Sequence, residues 1–155
     1  MSDFGLNFDD LGLTPDEKGL EPEKKKDQLD SLSHKRAIKE LLRLLKNGKK
    51  ADRMSAAWQL SRIRGDSLVT KGLVSALSRQ RDEDVLHEIV SALGFLADES
   101  SINALITVLA DNKNHYLRRK AAWSLANMKK SEKALGALEA TMLADHEDLV
   151  RVEAA

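Results

Sequence analysis

The chain has 155 residues, 25 basic side chains against 25 acidic ones, and no cysteine. That length suits one ordinary domain, the balanced charge gives no global pull toward nucleic acid or a membrane surface, and the missing thiols exclude a disulfide framework, a thiolate metal site and a cysteine nucleophile. The opening MSDFGLNFDDLGL is acidic and lacks the positive region and long apolar run of a secretion signal, and no run approaches membrane-spanning length, so a cytoplasmic location is expected.

Composition changes near residue 34. Residues 1–34 carry nine acidic and four basic side chains, both prolines (Pro15 and Pro22) and three of the eight glycines. Such a stretch buries too little apolar surface to offset its ordering entropy, so a flexible or weakly docked tail is expected over 1–34 and a folded domain over 35–155. Within the tail, FGLNFDDLGL sets Phe4, Leu6, Phe8, Leu11 and Leu13 in an acidic frame. This is the composition of a short docking peptide that orders on binding, either to a partner or to the chain's own helices.

From Ala37 onward apolar residues recur at helical spacing, beginning with Ile38, Leu41, Leu42 and Leu45, and no proline follows. Sliding the chain against itself by 32 or 33 residues aligns Ile38, Thr70, Ile102 and Leu135, then Leu41, Leu73, Leu105 and Leu138, then Leu45, Leu77, Leu109 and Met142. These mark a leading helix in each unit. A second set marks a trailing helix: Asp52, Val85, Leu117 and Val150; Ala56, Ile89, Ala121 and Ala154; Leu60, Leu93 and Leu125; Ile63, Leu96 and Met128. Ser61, Gly94 and Ala126 are small enough for close backbone approach, and Asp66 or Ser67, Ser100, Asn114 and Ser131 are expected N-caps. The pattern predicts an all-α fold, an α-solenoid of about four helical hairpins with repeats near 35–67, 68–100, 101–133 and 134–155.

A period near 33 also suits ankyrin and tetratricopeptide repeats, but neither the TPLH of the first nor the spaced Trp, Leu-Gly and Tyr of the second is present. The segments DRMSAAWQLSRI, HYLRRKAAWSLANM and EDLVRVEAA instead share an Arg, two residues, Ala-Ala, then Leu pattern, in register three times. Over residues 35–155 the chain resembles the short HEAT-like repeats named after phycobilisome lyases (PBS lyase HEAT-like repeats). The resemblance implies an α-solenoid whose members mostly hold other proteins, and so a noncatalytic scaffold or adaptor. It also suggests an alternative, an accessory subunit of a tetrapyrrole lyase or related modifying enzyme.

The stretch LHEIVSALG is similar to the His-Glu motif of deoxyhypusine hydroxylase, where the resemblance would imply a di-iron centre built from several repeats. The positions equivalent to His87 and Glu88 are here Met54 and Ser55, Arg119 and Lys120, and Val152 and Glu153. Adjacent residues on a helix point about 100° apart, and a protein-held metal needs three or more converging ligands. No metal site is expected, and His87 is read as a solvated or interface histidine. His34, His115 and His146 are scattered, and no phosphate-cradling glycine loop occurs. No catalytic residue and no cofactor are expected; KKK at 24–26 and RRK at 118–120 can be read as contacts for an acidic partner, though exposed charge runs are usually solvated faces.

Charge alternates along the repeats: −5 in the tail, then +7, −3, +5 and −4 in the four units. Backbone binding to nucleic acid wants a continuous positive stripe, which this alternation breaks, so nucleic acid is the weaker alternative to a protein partner. The acidic tail has a natural neighbour in the basic first unit. That unit reads as an N-terminal cap, because polar Asp52 interrupts its ladder. The fourth unit reads as incomplete, with self-association expected through an edge around Leu138, Met142, Leu149 and Val152. Finally, at 100° per residue Trp58, Arg62, Phe95, Tyr116, Lys120 and Trp123 fall between about 240° and 300°, away from the core stripe of the trailing helices. In HEAT-like folds this face lines the concave surface, and aromatic residues beside cations make it the expected partner-binding site. The other role open to the tryptophans is packing between neighbouring trailing helices.

Overall fold

The computed structural model describes residues 22–128 and 130–155. The docking-peptide residues Phe4 to Leu13 lie outside this range. The helices are α1 (Pro22–Asn47), α2 (Lys50–Leu60), α3 (Ser67–Arg79), α4 (Glu83–Leu96), α5 (Ile102–Asp111), α6 (His115–Ala126), α7 (Glu132–Ala144) and α8 (Asp148–Ala154), with a 3-10 turn at Glu99–Ser101 before α5. No strand occurs among the described residues, and no helix there is long and apolar enough to cross a membrane. The chain divides into two units, Met1–Ala37 and Ile38–Ala155. The described part of the first is the leading portion of α1, which begins at Pro22, so the composition break at residue 34 falls inside a helix. The second is an all-α solenoid of helical hairpins: α2 packs on α4, α4 on α6 and α6 on α8, while α3, α5 and α7 pack against their hairpin partners.

The apolar ladders explain the core. Val85, Leu117 and Val150, then Ala56, Ile89, Ala121 and Ala154, then Leu60, Leu93 and Leu125 are all buried on the even-numbered helices. Ile38, Leu45, Leu73, Leu77, Ile102, Leu105 and Leu109 meet them from the odd-numbered ones. At about 1.5–3 kcal/mol for each buried Leu or Ile side chain, this ladder is the main force holding successive hairpins together. Thr70 occupies a ladder position as a polar residue, and its hydroxyl donates to Asp98 Oδ2 at 2.9 Å, so its burial leaves no unmet hydrogen bond.

Two ladder expectations need correction. Leu135 and Met142 are exposed on α7, which is anchored instead by Ala134 and Leu138. α7 packs on α5, α6 and α8, and the other two side chains fall on the side away from these neighbours. Leu138 is accordingly buried rather than part of an open edge, whereas Leu143, Leu149 and Val152 are exposed. Ser100 is not the cap of α5: Asp98 accepts from the Ser100 amide at 2.9 Å and nucleates the 3-10 turn, and α5 starts two residues later. Asp66, Asn114 and Ser131 cap α3, α6 and α7 as expected, and Asp82 caps α4. Asp52, polar within its ladder, accepts from the Lys49 amide at 3.3 Å at the start of α2.

Glycine is demanded at the α4–α6 crossing. A Cβ on Gly94 would lie 2.5 Å from Ser124 Oγ and 2.8 Å from Trp123 Cζ3. The Ser124 hydroxyl donates to the Val90 carbonyl of α4, also at 2.9 Å from the Lys120 carbonyl, and Asn127 Nδ2 donates to the Gly94 carbonyl at 3.2 Å. Just beyond, α4 ends at Ala97 with φ 52° and ψ 37°, the left-handed region.

The third and fourth hairpins are joined by a buried ion pair. Arg118 of α6 donates from Nε and Nη2 to the two carboxylate oxygens of Asp145, each at 2.9 Å, and from Nη1 to the Asn112 carbonyl at 3.0 Å. The side chains are 4% and 8% exposed. Hydrogen bonding to the guanidinium holds the Asp145 carboxyl below its ordinary pKa.

Two predictions follow from these contacts. Because the folded pKa of Asp145 lies below its unfolded value, its contribution is complete above about pH 4 and is lost as pH falls through the folded pKa. Arg118→Ala leaves a buried carboxylate unpaired and should cost about 3–5 kcal/mol at pH 7, with a smaller deficit at pH 3, where the variant's Asp145, freed of the guanidinium and still buried, takes up a proton more readily than the parent's. Urea unfolding at both pH values reads this, and an equal deficit at the two would refute it. Gly94→Ala should destabilise by about 1–3 kcal/mol, whereas Gly136→Ala, where a Cβ meets nothing within 4 Å, should stabilise by about 0.5–1 kcal/mol. The same unfolding experiment reports both signs.

Candidate functional site

The face of interest is carried by α2, α4 and α6. Because small residues occupy the crossing, the large side chains that flank them on each helix are displaced to its rim. On α2, Trp58 is 54% exposed, and Arg62 just past the helix end places its guanidinium carbon 5.1 Å from the indole centre. On α4, Phe95 is 52% exposed and meets Trp123 of α6 edge to face, with ring centres 5.2 Å apart and planes at 73°. Trp123 itself is half-buried and rests on Gly94, with Lys120 Nζ 4.9 Å from its ring centre. Tyr116, 61% exposed, lies against the His115 ring at 4.0 Å.

The six expected site residues therefore form two groups. Phe95, Trp123, Lys120 and Tyr116 gather across α4 and α6, while Trp58 and Arg62 make their own pair on α2. The two tryptophans differ: Trp58 is a surface residue, and Trp123 is wedged between neighbouring even-numbered helices.

A cleft of about 320 Å³ opens beside the larger group, lined by His87, Tyr116, Arg119, Lys120, Trp123 and Glu153. Arg119 Nε donates to Glu153 Oε2 at 3.0 Å, closing one end and tying α6 to α8. Similar polar links occur between the other even-numbered helices: Lys50 pairs with Asp84, and Asn114 Nδ2 donates to Glu83 at 2.6 Å. Burial and the Lys120 ammonium hold the His87 imidazole below its ordinary pKa against the opposing pull of Glu88 and Asp84, so the ring is neutral at pH 7. Among the described residues no three His, Asp or Glu side chains converge on one point. The cleft thus offers aromatic walls, one ammonium held over an indole and a neutral imidazole, a surface suited to an amphipathic ligand.

His87, Arg119 and Glu153 were not expected to share a site with Tyr116 and Trp123. The signal was nevertheless present: in the repeat register Arg119 is the equivalent of His87, and Glu153 is the equivalent of Glu88. Residues at equivalent positions of stacked helices lie side by side. The RRK run does not form one solvated patch. Arg118 is in the core, Arg119 pairs with Glu153, and Lys120 lies over Trp123.

Comparison with known protein families matches the HEAT repeats model to residues 70–155. No curated protein matches the chain significantly. The matched stretch runs from the first turn of α3 through α8, more than half of the chain. With the stacked hairpins and the recurring Arg, two residues, Ala-Ala pattern, it shows that the chain belongs to the HEAT-repeat family.

Proposed function

We propose that the chain is a noncatalytic adaptor that binds a protein partner on the face shared by α2, α4 and α6. HEAT repeats generally mediate protein–protein interaction. The observation that carries the proposal is the row of exposed aromatic residues, Trp58, Phe95 and Tyr116, set beside Arg62 and Lys120. Exposed aromatic side chains cost little entropy to immobilise and dominate interface energetics when covered. Trp58 is more than half exposed and contacts Arg62, just past the end of its own helix. The triple Arg, Ala-Ala pattern favours the PBS lyase HEAT-like type within the family, and a cytoplasmic setting suits a chain without cysteine. A role beside a tetrapyrrole-modifying enzyme draws on that type alone. Nucleic acid is disfavoured, because the cations of this face alternate with Glu83, Asp84 and Glu153, which accept from or pair with neighbouring helices.

The test uses partners captured by full-length protein from its native source and then reconstituted. Trp58→Ala and Tyr116→Ala should each change unfolding free energy by less than about 1 kcal/mol and weaken the purified complex by about 2 kcal/mol or more. Trp123→Ala should instead cost about 2–3 kcal/mol of stability, short of a fully buried tryptophan. An unchanged dissociation constant in both surface variants would remove this face from the interface. Submicromolar, salt-sensitive binding of duplex DNA that is lost in Lys120→Ala would replace the protein partner with nucleic acid.

A further inference from the structure

The repeat register exposes a mismatch on the other side of the molecule. The Arg of the Arg, two residues, Ala-Ala pattern is Arg53 on α2, Arg118 on α6 and Arg151 on α8, with Leu86 in its place on α4. Arg118 receives its carboxylate from the next hairpin: Asp145 is the residue that ends α7, and it also accepts from the Glu147 amide at 2.9 Å. One pair of hairpins earlier the same position, the residue that ends α3, is Gln80. Its Oε1 repeats the local role of Asp145, accepting from the Arg81 and Asp82 amides at 2.9 and 3.0 Å. It brings no charge to Arg53. Where α4 has Leu86, the facing residue that ends α5 is Asn112, so apolar meets neutral. Among the described residues, Arg53 alone of the series faces a slot from which its carboxylate is missing.

The two clefts built on these arginines are equivalent. One, of about 540 Å³, includes Leu109, Ala110, Arg118, Ala140, Thr141, Ala144 and Asp145 in its lining. The other, of about 240 Å³, has at the same register positions Leu45, Lys46, Arg53, Ser75, Ala76, Arg79 and Gln80, together with Leu42 and Gly72. Two alanines of the first cleft are thus replaced by Lys46 and Arg79, and the carboxylate of Asp145 by an amide. Three cations surround the smaller cleft, and no acidic residue lines it. Lys46 and Arg79 stand in the last turns of α1 and α3, where a cation interacts favourably with the helix carbonyls. That does not account for Arg53, whose Nε is buried without a hydrogen-bond partner. A buried guanidinium nitrogen with no acceptor is a costly arrangement unless something supplies one. The carboxylate of Asp82, which caps α4, is taken by the Asp84 and Val85 amides and by Lys50 at 3.4 Å.

We propose that this cleft between α1, α2 and α3 binds an acidic peptide segment of a protein partner, with an aspartate or glutamate carboxylate filling the position that Asp145 fills beside Arg118. The peptide assignment rests on the floor of the cleft. Leu42, Leu45, Ala76 and Gly72 give it an apolar base, and Leu42 occupies the space that a side chain at residue 72 would need. An apolar residue beside a carboxylate satisfies both base and rim, which a bare inorganic anion does not. Arg, unlike Lys, presents a planar fork that grips a carboxylate through two bonds, the geometry already seen at Arg118. The site is separate from the aromatic face and would give the partner a second, charge-selective anchor.

The experiment measures fluorescence anisotropy of full-length protein with a short labelled peptide of alternating leucine and aspartate, and with the same peptide carrying asparagine. Inorganic phosphate and a DNA duplex serve as competing probes. The aspartate peptide should bind and the asparagine peptide should bind at least about tenfold more weakly. Gln80→Asp, which restores the internal carboxylate, should raise the melting temperature and weaken the aspartate peptide about tenfold or more. Arg53→Met should also weaken it while leaving no unpaired charge behind, and Lys46→Ser with Arg79→Ser, both on exposed positions, should reduce affinity several-fold and flatten its salt dependence. The proposal is overturned if no peptide binding is seen by about 1 mM, if the two peptides bind alike, or if Gln80→Asp binds as tightly as the parent. Phosphate or duplex binding that follows these variants while the peptide fails overturns the peptide assignment.

Discussion

The backbones of α4 and α6 meet at Gly94, and the arrangement of the aromatic face follows from how closely they approach. With no side chain at residue 94, the Ser124 hydroxyl reaches the Val90 carbonyl and the edge of the Trp123 ring comes up against the glycine. A helix pair held this tightly has no room for large residues along the contact, so alanines, glycine and serine occupy it and the rings are displaced to its edge. Phe95 and Trp123 then touch edge to face, and Lys120 settles over the indole. One steric constraint in the middle of the solenoid produces both a close helix crossing and the aromatic surface beside it.

Around that centre the same position of the repeat serves different purposes in different hairpins. The guanidinium of Arg118 reaches across to Asp145 and fastens one hairpin to the next; Arg151 donates to the Asp145 carbonyl at 2.6 Å and pairs with Asp148. Leu86 dispenses with charge altogether. A repeat protein tolerates such variation because each unit touches only its neighbours, so a changed partner is a local matter. Arg53, facing a neutral amide, is the member of this series whose local matter is left open.

The ladders of the core were legible in the sequence because burial on a helix face imposes a spacing that survives substitution, as the alignment of Leu60, Leu93 and Leu125 shows. Leu135 and Met142 share that spacing but lack a neighbour on their side of α7, which a periodicity cannot express. The start of α5 was displaced because Asp98 competes for the amides that Ser100 was expected to organise. Arg118 was misread for a different reason. Its partner is 27 residues away, and a run of three cations looks solvated until the fold brings in a carboxylate. The exposure of Trp58, Phe95 and Tyr116 was legible from helical angle alone. His87, Arg119 and Glu153 required the further step of laying equivalent positions on adjacent helices side by side.

Ala97 shows how the joints between hairpins are set. A left-handed conformation costs an alanine about 1–2 kcal/mol that a glycine would avoid, yet alanine closes α4 here, its amide donating to the Leu93 carbonyl at 3.0 Å. Its methyl group packs partly buried against the core and lines a groove with Ala126 and Met128. A glycine would relieve the strain and free the joint at the same time, since it enters many conformations that alanine cannot. Alanine makes the link between the second and third hairpins stiff instead of supple. The pitch from one repeat to the next is thereby fixed before any ligand arrives, and the aromatic groups on α4 and α6 are presented at a constant separation.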